Sequence, residues 1–80
     1  MSEELTLIDG TKEEKYKSLF PQIESLIRLE SDTIANMANV AAAIKETFDF
    51  LWVGFYRVIG ENLVLGPFQG PLACTRIAFG

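Results

Sequence analysis

Two places in this sequence carry residues that could do chemistry. One is the run Trp52-Val53-Gly54-Phe55-Tyr56, and the other is the single cysteine, Cys74. In an extended strand side chains alternate, so Trp52, Gly54 and Tyr56 share one face and Val53 and Phe55 the other. Gly54 adds no side chain, which leaves a gap between two aromatic walls. Such a gap holds a small ligand, or another side chain fills it. As a ligand site, the two rings offer an apolar wall to a methyl group and their faces attract an ammonium. As structure, they are core aromatics that bury large areas. Cys74 is either a redox thiol or a small hydrophobe packed in a strand. Arg57 and Arg76 read as solvated strand-end charges.

Composition removes several classes of function. The chain has no histidine and one cysteine, so a metal site built on imidazole or paired thiolates is excluded, as is an internal disulfide. The net charge is −4, and the seven cations are scattered or interleaved with acids, which argues against a nucleic-acid partner. No apolar run approaches the roughly 18 residues of a membrane span. Met1-Ser2-Glu3-Glu4 is acidic, unlike the basic start of a signal peptide. A cytoplasmic location is the expectation, and a lone free thiol agrees with it.

The elements that must position these residues follow from periodicity. Residues 1–10 read as a loose lead-in. Thr11 and Glu14 stand three apart in a capping box. Behind them Tyr16, Leu19, Phe20, Ile23, Leu26 and Ile27 form one helical stripe, which keeps its phase across Pro21. The spacing predicts one kinked helix over 12–29, the alternative being a fresh start with Pro21 in the first turn. Ser31 or Asp32 caps a second helix over 32–48, with its stripe on Ile34, Met37, Ala38, Ala41, Ile44 and Phe48. The run Ala41-Ala42-Ala43 is small enough to let that helix lie close to whatever it covers. Strands are expected at 50–59, 63–66 and 72–78. The first two form a hairpin around Gly60-Glu61-Asn62, and Gly66-Pro67 makes an edge, a bulge or a strand end. The fold class is α+β: two N-terminal helices packed on an antiparallel sheet of two to three strands, in a single domain.

These residues resemble a family. Trp52-Val53-Gly54-Phe55-Tyr56, Leu63-Val64-Leu65-Gly66-Pro67-Phe68-Gln69-Gly70 and Ala73-Cys74-Thr75-Arg76-Ile77 closely resemble the free methionine-(R)-sulfoxide reductases, which are small GAF-domain enzymes. Glu30-Ser31-Asp32 with Ile34-Ala35-Asn36-Met37-Ala38-Asn39 is similar to their second helix. The resemblance implies an incomplete GAF domain, the N-terminal half of one about twice this length. It implies reduction of free methionine-(R)-sulfoxide with thioredoxin as the external reductant, no bound cofactor, and a homodimer as the assembly. It also implies a role for each candidate: Trp52 and Tyr56 line the substrate pocket, and Cys74 is the resolving thiol. The family's catalytic cysteine and the acids that hold the substrate's ammonium have no counterpart among these residues, the last acid being Glu61.

Sulfoxide reduction by thiols needs two sulfurs, one to attack and one to resolve the sulfenic acid as a disulfide. Cys74 alone cannot complete that cycle, so the expectation is a truncated reductase without turnover of its own. A GAF-like module that binds a small ligand or another protein without catalysis is the alternative. Cys74→Ser separates the two, since only a redox role needs the sulfur.

Overall fold

The computed structural model describes residues 5–78. Residues 1–4 of the expected lead-in lie outside the described residues. The element order is α1 (Lys12–Leu29), α2 (Thr33–Phe48), β1 (Val53–Ile59), β2 (Asn62–Gln69) and β3 (Arg76–Ala78). The strands form one antiparallel sheet in the order β1-β2-β3. α2 lies on β1 and β2, and α1 packs on α2.

α1 starts where its side chains can satisfy its exposed backbone donors. The Glu14 amide donates to the Thr11 hydroxyl at 3.1 Å, and the Thr11 amide donates to a Glu14 carboxylate oxygen at 2.8 Å. The helix runs through Pro21 without a break. The lead-in is tied down at one point. The side-chain amide of Gln22 accepts from the Thr6 N–H at 2.9 Å and donates to the Thr6 carbonyl at 3.0 Å, as a neighbouring strand would. Asp32 is the N-cap of α2, its carboxylate accepting from the Ala35 amide at 2.8 Å. α2 ends on Asp49 in the left-handed conformation (φ 55°, ψ 37°), which a short polar side chain tolerates.

The buried core of the described residues is small: Leu19, Ala41 and Ala43. Ala41 and Ala43 are two positions apart, so they face opposite sides of α2, about 200° round the helix. Ala43 lines a cleft with Gln22, Ser25 and Leu26 of α1, while the other neighbours of α2 are β1 and β2. α2 is therefore the middle layer, and its alanines let α1 and the sheet approach from both sides. The radius of gyration is 14.1 Å, against about 12 Å for a compact domain of this length. Large apolar side chains, among them Phe20, Leu29 and Leu51, remain exposed.

Three strand boundaries differ from the sequence expectation. The first strand was expected from residue 50, but pairing begins at Val53, opposite Gln69. Before that point Asp49 turns the chain, and the Phe50 ring stacks on Phe48 with centroids 5.5 Å apart. The second strand was expected over 63–66, yet β2 continues through Gly66-Pro67 to Gln69. A β-bulge makes this possible. Gly54 pairs with Phe68 and Tyr56 with Leu65, so Phe55 alone opposes Gly66 and Pro67. The proline's missing donor thus falls where the ladder is already interrupted. The third strand was expected over 72–78 but spans only Arg76–Ala78. Pro71 cannot donate to a ladder, and pairing with β2 begins only where the Leu65 amide donates to the Thr75 carbonyl at 2.9 Å.

Glu14 gives the fold a pH signature. The Thr11 backbone amide, and then its hydroxyl, hold the Glu14 carboxyl below its ordinary value. A depressed carboxyl stabilises the fold above its unfolded pKa, and that contribution is lost as pH falls through the lower folded value. Thr11→Ala is expected to cost about 1 kcal/mol in urea unfolding at pH 7. Glu14→Gln is expected to flatten the acid side of the stability-against-pH curve, measured by repeating the unfolding from pH 7 down to pH 3.

Candidate functional site

The face of the ribbon is set by register. Paired residues of an antiparallel sheet point to the same side, so the pairs Gly54–Phe68 and Tyr56–Leu65 place Phe68 beside Trp52 and Tyr56. The Trp52 ring stacks on Phe68 with centroids 5.6 Å apart and on Tyr56 at 6.1 Å, with interplanar angles of 17° and 27°. The expected gap over Gly54 exists as a missing Cβ, and the indole of Trp52 itself fills it. A Cβ built on Gly54 would lie 2.5 Å from Trp52 Cη2 and 2.5 Å from Phe68 Cβ. Gly70 holds the other end of the residue. Its φ is 129°, and a Cβ there would lie 2.6 Å from the Leu51 carbonyl oxygen and 3.0 Å from Trp52 Cδ1. Two glycines therefore permit one ring.

Phe68 is the site residue that reading along the chain missed, because Phe68-Gln69-Gly70-Pro71 looks like a connector. Its signal is the cross-strand position opposite Gly54, which becomes visible only once the bulge is counted. The indole nitrogen of Trp52 is buried and has no hydrogen-bond partner among the described residues, so the site carries one unused donor.

Cys74 is not the buried strand hydrophobe that was one of its two readings. It is exposed, on the connector between β2 and β3. One bond brings that connector to the aromatic site: the Tyr56 hydroxyl donates to the Cys74 carbonyl at 2.8 Å. Trp52, Tyr56 and the backbone of Cys74 are thus joined, while Arg57 and Arg76 are exposed on the ribbon. Two clefts, of about 320 and 540 Å³, lie in the helical layer, and neither includes Trp52, Tyr56 or Cys74. Among the described residues no cluster of three or more His, Cys, Asp or Glu side chains is placed to hold a metal. No helix among them is long and apolar enough to cross a membrane.

The chain is similar to several known proteins. GAF domain-containing protein A of Dictyostelium discoideum is 60% identical over 81 residues, covering 100% of this chain and 51% of that protein. The free methionine-R-sulfoxide reductase of Escherichia coli is 41% identical over 70 residues, covering 86% of this chain and 42% of the reductase. The crystal structure of free methionine-R-sulfoxide reductase from Neisseria meningitidis, in complex with its substrate, superposes with a TM-score of 0.92 at 52% identity. That match covers 96% of this chain and 47% of the crystallised one. The chain spans about half the length of the curated relatives it matches. Over the shared half the fold is that of a GAF domain. No family model matches the chain.

The close approach at Gly54 has a measurable consequence. Trp52 is the only tryptophan, so its emission reports this site alone. Gly54→Ala is expected to displace the indole, shift its emission to the red and cost roughly 1–3 kcal/mol through overpacking. An unshifted spectrum with unchanged stability would show that the ring does not rest on Gly54.

Proposed function

We propose that this chain, a homologue of the free methionine-R-sulfoxide reductases, supplies the aromatic substrate wall and one redox thiol of such an enzyme. Trp52 and Tyr56 form the wall, with Phe68 stacked on the indole. Their faces suit the S-methyl group and the ammonium of free methionine-(R)-sulfoxide. Cys74 is the resolving thiol, and its exposure suits exchange with an external dithiol.

The chemistry balances with two cysteines and a reductant. A catalytic thiol attacks the sulfoxide sulfur; methionine departs, and the oxygen stays on the enzyme as a sulfenic acid. The Cys74 thiol attacks that sulfur, forming a disulfide and releasing water. A dithiol such as thioredoxin reduces the disulfide by exchange and is itself oxidised. The protein binds no cofactor in this scheme and works in a reducing compartment, the cytoplasm. These 80 residues contain one cysteine, so the attacking thiol is not among them, and the 80-residue chain by itself turns nothing over. The observation that carries the reading is the Tyr56–Cys74 bond, which joins the aromatic wall to the thiol-bearing segment.

A second reading is a GAF-type binding module. It is favoured by the aromatic triad, which needs no cysteine to hold its shape.

Titrating the chain with the two diastereomers of free methionine sulfoxide while following Trp52 emission tests the proposal. The (R) form is expected to change the emission saturably and the (S) form to leave it unchanged. Equal responses, or none, would overturn the substrate assignment. In a reductase carrying this segment, Cys74→Ser is expected to keep the emission response while lowering thioredoxin-dependent turnover at least tenfold. Unchanged turnover would overturn the resolving role of Cys74.

A further inference from the structure

Tyr56 does two things at once. Its ring stacks against Trp52 at 6.1 Å, and its hydroxyl donates to the Cys74 carbonyl at 2.8 Å. We infer that Tyr56 is a positioning residue that couples occupancy of the aromatic site to the placement of the Cys74 thiol. The inference rests on the proposed function only for the identity of the ligand; the coupling itself is a property of the geometry.

The connector from Gly70 to Thr75 has few other holds. It is pinned at its start by the close approach of Gly70 to the Leu51 carbonyl and Trp52, and at its end by the Leu65–Thr75 bond. Between those points Pro71, Leu72 and Cys74 are exposed, Leu72 almost completely at 97%. The Tyr56 hydroxyl is the one side chain that holds this stretch by a hydrogen bond among the described residues. A tyrosine ring is rigid, so a shift of the ring carries its hydroxyl along. The indole already fills the space over Gly54. A ligand that takes the space over Gly54 must therefore displace the indole, and of the two rings stacked on it Tyr56 is the one attached to the thiol segment. Binding would then loosen or re-aim Cys74 at the moment a resolving thiol is needed, and keep it parked otherwise. Substrate entry and thiol placement become one motion.

The chain suits a direct test, because it has one tryptophan and one cysteine. A nitroxide attached to Cys74 reports the mobility of the connector, while Trp52 emission reports the site in the unlabelled chain. In the parent chain the label is expected to be restrained, and saturating free methionine-(R)-sulfoxide is expected to change its spectrum with the midpoint seen by Trp52. Tyr56→Phe keeps the ring and removes the hydroxyl. It is expected to mobilise the label without ligand and, at sulfoxide concentrations that saturate the variant's own Trp52 response, to abolish the ligand's effect on the label. A merely structural tyrosine would not separate binding from coupling in this way. A Tyr56→Phe label spectrum that matches the parent, or that still responds to ligand as the parent does, overturns the inference. The arm without ligand needs no sulfoxide, so it is decided even if the substrate assignment fails.

Discussion

The indole of Trp52 lies where the ribbon offers no Cβ beneath it. That constraint governs this structure. Trp52 rests on Gly54 at its six-membered edge and meets Gly70 at Cδ1, and neither position has room for a methyl group. The contact with Gly70 fixes where β2 must stop and the chain must turn. The contact with Gly54 places the ring where both Phe68 and Tyr56 stack on it. Turn, sheet register and aromatic site are therefore satisfied together or not at all.

The helical layer obeys a related constraint of size. α2 has neighbours on two sides, and the residues it buries between them are alanines. Small residues sacrifice buried area for close approach. That choice limits the hydrophobic stabilisation of a core in which Leu19 is the one large side chain buried among the described residues. The aromatic contact of Tyr16 with Phe48, with centroids 4.3 Å apart, and the stacking of Phe48 on Phe50 add a second anchor where the helices give way to the sheet. Two aromatic clusters thus flank the junction at residues 49–52, one holding helix to helix and the other holding strand to strand.

The bulge links this framework to the thiol. By letting two residues of β2 oppose one of β1, it carries the strand past Pro67 and sets Phe68 over Gly54. The chain then leaves the sheet at Gly70, and Cys74 is presented from a connector rather than from a strand. A thiol on a ladder would be fixed by its neighbours' hydrogen bonds. A thiol on a connector is fixed by whatever reaches it, and here Tyr56 does so. Under the proposed role that placement has a chemical purpose, because a resolving sulfur must reach both a sulfenic acid and an external dithiol.

What could be read from the chain alone was what depends on near neighbours. Thr11 and Glu14 mark the start of α1 because a capping box closes within one turn. The stripe of α1 keeps its phase across Pro21, and the helix is continuous there. Gly60 marks the hairpin because a two-residue loop between Ile59 and Asn62 needs a positive φ, which is 60° at Gly60. Alternation places Trp52, Gly54 and Tyr56 on one face, and the motifs around them carry the resemblance to sulfoxide reductases. Only the tertiary structure decides what fills the gap over Gly54, that Phe68 is the third ring, that β3 shrinks to Arg76–Ala78, and that Cys74 is exposed and tied to Tyr56. Each of these depends on strand register, and a single extra residue at Gly66-Pro67 changes which side chains meet across the sheet. A bulge leaves no periodic trace in the strand that contains it, so its consequences appear only when the two strands are laid side by side.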